Sequence, residues 1–251
     1  MATTLIIGGT AAYHLDFGAH VTLRGERVVQ TPFGEAGPVL LFRAGAEECA
    51  LLSRHGGQGR LGVTPPFIHY QANLWVAREL GARRVLSWNS AGSLVRSLEP
   101  GCIAAVSDLI DWTKTRRSTF GTALPERPRP TGPLFDPALR EGLVRAARGQ
   151  GHYVGPSAVY AATEGARLET AAEIRLLAAA GAELVGMTMA PEVFLARELG
   201  LAYGSLCWVS NYATGVPFDG PERRLFQPEV GQLLFSIILK FLQEEAGSDA
   251  P

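Results

Sequence analysis

"ELGARRVLSWNSAGSL" (Glu79–Leu94) is the stretch that decides the fold class. A charged, helix-forming end stops at Gly81, an apolar run from Val85 to Trp88 follows at once, and the run closes on polar Asn89-Ser90-Ala91-Gly92-Ser93. Helix, glycine stop and buried strand in that order make the joint of an α/β layer. Upstream, "YQANLWVAREL" carries apolar residues at helical spacing. The same order returns in "AAAGAELVGM" and in "RELGLAYGSLCW". Thr4–Thr10, "TLIIGGT", is a further strand that runs into a glycine turn.

These repeats predict a single α/β domain over 1–251, with a mixed, largely parallel sheet flanked by helices. In such sheets ligands gather beyond the carboxyl ends of the strands. The polar ends GGT, NSAGS, GMTM and SNYA all fall there. Thr119–Asp136 is rich in Pro and Gly without periodicity and reads as a long surface excursion. "ATGVPFDGPERRLFQPEV" reads as a lid or pocket wall, followed by an amphipathic C-terminal helix in "GQLLFSIILKFLQEEAG".

Composition narrows the function classes. Apolar residues make up 47% and charged residues 19%, and the net charge is -1. With no basic block, a nucleic-acid surface lacks support. Cys49, Cys102 and Cys207 show no CxxC spacing and read as buried thiols of a reducing compartment. No apolar run reaches membrane-spanning length, and the start "MATTLIIGGT" has no signal-peptide pattern. The expectation is a soluble cytoplasmic protein.

Of the groups able to do chemistry, the Gly8-Gly9-Thr10 turn offers backbone N–H groups and a hydroxyl suited to an anion, although such turns also serve as plain strand exits. "SRHGGQGR" adds Arg54 and His55 beside a glycine loop, and an arginine fork matches a phosphate. GxxxxGK[ST] does not occur, and GxGxxG occurs only as Gly57–Gly62, which runs into Thr64-Pro65-Pro66 and opens no helix pattern, so ATP and dinucleotide sites lose their main support. Glu164 and Glu169 in "EGARLET" read first as a helix start, as does Glu192 after Pro191. His14, His20 and His152 have no metal-ligand spacing, and no GxSxG elbow is present. Residue types and spacing alone reach an α/β protein with a small-anion site.

The same segments in this order resemble the trimeric nucleoside phosphorylases, which cleave purine nucleosides or 5′-methylthioadenosine. The likeness runs through "IIGGT", "TPFG", "RHG", "HYQANLWVARELGARRVLSWNSAGSL", "SDLIDWTKTRRSTF", "TEGARLETAAEI", "GMTMAPEVFLAREL" and "SNYATG". It implies phosphorolysis, in which inorganic phosphate attacks C1′ of a nucleoside and the purine leaves, with no metal or organic cofactor. It also implies a homotrimer. By the resemblance, Thr10, Arg54, His55, Ser90 and Thr188 hold phosphate. Met187, Leu168, Ala91, Gly92 and Ala213 surround ribose and base.

Asn211 and Glu169 match the base-reading positions of members that use 6-oxopurines. An amide can donate to purine N7 and a carboxylate can accept from N1–H. Adenine has no proton on N1, and its lone pair facing Glu169 would cost on the order of 1–3 kcal/mol. The stretch "VPFDGPERRLFQPEV" contains no histidine to serve a 5′-hydroxyl, and its Val216, Phe218, Leu225 and Phe226 suit a thioether. The resemblance therefore implies S-methyl-5′-thioinosine as substrate. Rivals are an inosine or guanosine phosphorylase, with Arg224 serving the hydroxyl, a methylthioadenosine phosphorylase, and a non-catalytic nucleoside-binding protein. Departures from the family pattern are Ala11, the Gly57-Gln58-Gly59 run, and a proline-rich loop without histidine, for which Phe120 is a candidate cross-subunit wall.

Overall fold

The computed structural model describes residues 3–10, 12, 15–56, 62–125, 132–218 and 229–248. Nine strands and five helices follow one another as β1 (Thr4–Gly8), β2 (Leu23–Thr31), β3 (Gly34–Ala44), β4 (Glu47–Ser53), α1 (Tyr70–Leu80), β5 (Arg84–Ser93), β6 (Ile103–Trp112), α2 (Pro137–Gly149), β7 (Ala158–Thr163), α3 (Ala171–Ala179), β8 (Leu184–Gly186), α4 (Glu192–Glu198), β9 (Ala202–Tyr212) and α5 (Glu229–Ser248), among the described residues.

All nine strands form one sheet in the order β2-β3-β4-β1-β5-β8-β7-β6-β9, and β9 pairs back onto β5. The last five strands thus close a ring, with β5 as the hinge between it and the open part. Five pairings are parallel and four antiparallel, so the sheet is mixed, as expected, with parallel contacts where β4, β1, β5 and β9 adjoin.

Helices cover both faces of the sheet. One buried cluster joins Leu74, Trp75 and Val76 of α1 and Val193 and Leu195 of α4 to Leu5, Ile7 and Val85 of the strands. The other joins Leu139 and Leu143 of α2 and Phe235, Ile238 and Phe241 of α5 to Ile6, Leu86 and Leu206. Alternation along β1 sends Leu5 and Ile7 one way and Ile6 the other, as period two requires. Gly142 of α2 meets the Phe241 ring so closely that a Cβ there would lie 2.3 Å from Cε2.

Local signals account for the helix ends. Asp136 caps α2 by accepting from the Leu139 N–H, with Pro137 in the first turn. Thr170 and Glu173 form a capping box on α3. Gly81, with φ of 70°, ends α1 in the left-handed region.

The stretch Thr119–Asp136 differs from expectation. Phe120, Leu124 and Phe135 are buried, and Phe120 packs edge-on against Trp75 at 5.2 Å between ring centres. Aromatic contacts pin this segment through Phe120 to Trp75 of α1 and through Phe135 to Tyr203 of β9, and Phe120 belongs to its own chain's core, not to an exposed wall. Residues 126–131 lie outside the described residues. The three cysteines are buried free thiols, and burial raises Cys102 to about 11 and Cys49 to about 12. Among the described residues, no helix is long and apolar enough to cross a membrane.

Candidate active site

Parallel pairing of β4, β1 and β5 puts their carboxyl ends on one side. Gly8 pairs with Ser53, and the Arg54 N–H donates to the Gly8 carbonyl at 2.9 Å, which places Arg54 directly beside the Gly8-Gly9-Thr10 turn. Any Cβ at Gly9 would lie 2.9 Å from the Trp88 carbonyl oxygen and 3.2 Å from Arg54 Nη1. Only glycine allows the turn to sit this close to the guanidinium.

Arg54 is buried, and its fork is held from behind. Nε donates to Glu192 Oε2 at 2.6 Å, Nη2 to Glu192 Oε1 at 2.8 Å, and Nη1 to the Trp88 carbonyl at 3.1 Å. Burial works against the charge, but the Glu192 carboxylate more than offsets it, and the guanidinium's pKa is raised. Beside it, His55 Nδ1 lies 2.8 Å from the Val63 carbonyl. A carbonyl only accepts, so Nδ1 carries the proton and Nε2 is the ring's acceptor. Burial lowers the His55 pKa to about 4, which leaves the ring neutral near pH 7.

From the other side come the ends of β8 and β9. The Thr188 hydroxyl donates to Asn89 Oδ1 at 2.8 Å. Ala91 of β5 pairs with Val209 of β9 but Gly92 with Asn211, so Ser210 is an extra residue, and its hydroxyl lies 3.2 Å from the Ala91 carbonyl. Such a bulge re-aims the next side chain. Asn211 Oδ1 accepts from Ser210 at 2.7 Å, and Nδ2 donates to the Tyr212 carbonyl at 2.7 Å. Gly92 makes room for that amide, since a Cβ there would lie 3.3 Å from Asn211 Nδ2.

Glu169 precedes the α3 cap, and its carboxylate accepts the Thr163 hydroxyl. Glu173, not Glu169, supplies the first-turn charge of the helix, so the helix-start reading of Glu169 is corrected by the capping box. Glu164 is corrected likewise, because it accepts from the Lys114 and Thr115 N–H groups and the Thr115 hydroxyl.

One cleft of about 1110 Å³ brings the parts together. Thr10, Arg54, His55, Ser90 and Thr188 line it, with Met187, Leu168, Ala91, Gly92, Ala213, Glu169 and Asn211. The phosphate, ribose and base residues named from the sequence are therefore all at one cavity. Val216 and Phe218 line it too, while Leu225, Phe226, Arg224, Ala11, His14 and residues 57–59 lie outside the described residues.

Two residues of the site escaped the sequence reading. Glu192 does begin α4, but its side chain is fully buried on Arg54. Arg116, quoted only inside "SDLIDWTKTRRSTF", is the other. Its guanidinium donates to the carbonyls of Met187, Ala190, Thr163 and Glu164 and to the Tyr70 hydroxyl. Glu192 after Pro191 looks like an ordinary helix start, and nothing local marked it or Arg116.

The Gly9 turn and Arg54 share this one cleft with the Asn211 amide and the Glu169 carboxylate. The chain belongs to the phosphorylase superfamily, whose family model matches residues 3–243. It is 36% identical over 241 residues to a 6-oxopurine nucleoside phosphorylase of Pyrococcus furiosus, covering 93% of this chain and 87% of that one. It is 42% identical over 209 residues to a Methanopyrus kandleri protein named "Probable S-methyl-5'-thioinosine phosphorylase", covering 83% and 78% of the two chains. Among solved structures, a double mutant of adenosine/methylthioadenosine phosphorylase from Schistosoma mansoni with adenine superposes with a TM-score of 0.84. It is 27% identical, and the match covers 100% of this chain and 93% of that one.

Proposed function

We propose that the chain cleaves a 6-oxopurine nucleoside with inorganic phosphate, and that its substrate is S-methyl-5′-thioinosine, giving hypoxanthine and 5-methylthioribose 1-phosphate. A phosphate oxygen bonds to C1′ as the C1′–N9 bond breaks, and the bonding pair leaves with the purine, which takes a proton. Phosphate as co-substrate sits among Thr10, Arg54, His55, Ser90 and Thr188, beneath the cationic sugar that forms as the bond opens. Met187, Ala91 and Gly92 flank the ribose. No metal or organic cofactor takes part. The reaction runs in the cytoplasm, in a homotrimer; exposed Phe67 (71%), two residues after the cleft-lining Pro65, supports contacts with another copy.

The observation that carries the base assignment is the pair Glu169 and Asn211 in one cleft. The Thr163 bond occupies part of the Glu169 carboxylate and leaves acceptor capacity for N1–H. Asn211 has one amide N–H on Tyr212 and a second for N7. Two relatives, named for 6-oxopurine nucleosides and for methylthioinosine, support the same reading. Val216 and Phe218 give the cleft an apolar wall that favours the methylthio group over a hydroxyl.

Phosphorolysis of methylthioinosine, methylthioadenosine, inosine and guanosine, each with and without phosphate, tests the proposal. Methylthioinosine leading, and only with phosphate, is the expected result. A lead for methylthioadenosine overturns the base assignment, and a lead for inosine overturns only the sugar assignment. Base release without phosphate dependence, or none, overturns the reaction.

A further inference from the structure

Behind the proposed phosphate site runs a continuous buried chain of polar groups. It starts at Arg54, which the Glu192 carboxylate grips in two places. Tyr203 Oη donates to Glu192 Oε1 at 2.7 Å and lies 2.7 Å from Ser87 Oγ. Ser87 Oγ is 2.8 Å from Ser205 Oγ, which accepts from Asn89 Nδ2 at 3.0 Å, and Asn89 Oδ1 accepts from Thr188 at 2.8 Å. Glu192, Ser87, Tyr203, Ser205 and Asn89 are all at most 1% exposed.

The chain begins and ends on two residues assigned to phosphate, Arg54 on the loop after β4 and Thr188 after β8. Of the groups between them only Asn89 lines the cleft, while Glu192, Tyr203, Ser87 and Ser205 stand behind it. A buried ion pair is a poor device for stability alone, since desolvation offsets much of the attraction. It is a good device for fixing a guanidinium's direction, and a fork held at Nε and Nη2 can turn only its remaining edge toward the Gly9 turn. Three of Arg54's five N–H groups are engaged in this way. Tyr203, whose hydroxyl is kept protonated by burial and by the Glu192 charge, completes the carboxylate's shell.

We infer that Glu192 is a positioning residue for the anion site: through Arg54 directly, and through Tyr203, Ser87, Ser205 and Asn89 to Thr188, it holds both sides of the phosphate cradle in register. The inference rests on the proposed phosphorolysis. It assigns Glu192 no contact with nucleoside, phosphate or the reacting atoms.

The test is steady-state kinetics with phosphate and nucleoside varied separately, on wild type, Glu192→Gln, Glu192→Asp and Tyr203→Phe, with melting temperatures alongside. Misdirecting the guanidinium by about an ångström should raise the KM for phosphate about 100-fold in Glu192→Gln, with the KM for nucleoside held within about twofold. Loss of one hydrogen bond in Tyr203→Phe should raise the phosphate KM about fivefold. Glu192→Asp, which keeps the charge on a shorter arm, falls between wild type and Glu192→Gln. An unchanged phosphate KM in folded variants, or equal rises in both KM values, overturns the inference and leaves Glu192 a purely structural residue. If Glu192→Gln fails to fold, Tyr203→Phe decides on the same criterion. A wild type that needs no phosphate fails the reaction itself, is visible before any variant is compared, and takes the inference with it.

Discussion

The Thr163 hydroxyl donates to the Glu169 carboxylate, joining the last residue of β7 to the residue just before the α3 cap. Both are buried, Thr163 at 6% and Glu169 at 7% exposure, so the bond fixes which carboxylate edge faces the cleft. Glu169→Gln replaces a pure acceptor by a group that also donates, and so can donate to adenine's N1 while its N–H faces hypoxanthine's N1–H donor to donor. The ratio of kcat/KM for 6-oxopurine over 6-aminopurine nucleosides should fall about tenfold or more. Thr163→Val should lower it in the same direction by a smaller factor. A ratio unchanged in Glu169→Gln would remove the residue from base recognition.

Arg116 fastens three segments at once. Its guanidinium is 2% exposed and reaches carbonyls on both the β7 end and the Met187–Ala190 stretch. Arg116→Leu would leave several buried carbonyls without donors, each costing about 1–3 kcal/mol, so a strongly lowered melting temperature is expected. Arg116→Lys keeps the charge but cannot span the same oxygens. In that variant the nucleoside KM should rise more than the phosphate KM, because Met187 loosens while Thr188 keeps its bond to Asn89 and Arg54 keeps its Glu192 anchor. Equal rises in both would show that Arg116 holds no particular subsite.

What could be read from the sequence follows from range. α1 and the strand ends at Gly8, Ser93 and Tyr212 are local patterns of period and punctuation, and they lie where the sequence places them. Asn211 announced itself as an amide at the end of an apolar run. Glu192 did not, because a glutamate after a proline is an ordinary helix start, and its true partner Arg54 is 138 positions away. The closure of β9 onto β5 and the burial of Phe120 against Trp75 are equally non-local. In sequence His55 is a cationic or donor side chain, yet desolvation makes it neutral, and burial is a property only the fold supplies.

That neutrality has a pH signature. The His55 pKa is lowered from 6.5 to about 4, so between those values the unfolded chain binds a proton that the native chain refuses. Stability is therefore full above pH 6.5 and is lost as pH falls toward 4, by up to about 3 kcal/mol. Urea unfolding at pH 7 and pH 5 should show this drop, and His55→Gln should flatten it. Equal drops in wild type and His55→Gln would assign the loss to other groups.

Asn211→Asp tests the N7 donor through a proton count. The present amide spends one N–H on the Tyr212 carbonyl at 2.7 Å and keeps a second for the base. An ionised aspartate has none, and one of its oxygens would face that carbonyl lone pair to lone pair. The contact disfavours the charged form and raises the new carboxyl's pKa above the ordinary value of about 3.9. At neutral pH the variant should lose about 10- to 100-fold in kcat/KM for a 6-oxopurine nucleoside. Because the protonated acid regains a donor, activity should rise again as pH falls through the raised pKa. Asn211→Leu, which has no proton to regain, should be as impaired and show no such recovery. Parallel pH profiles for the two variants would mean that position 211 shapes the cleft without donating to the base.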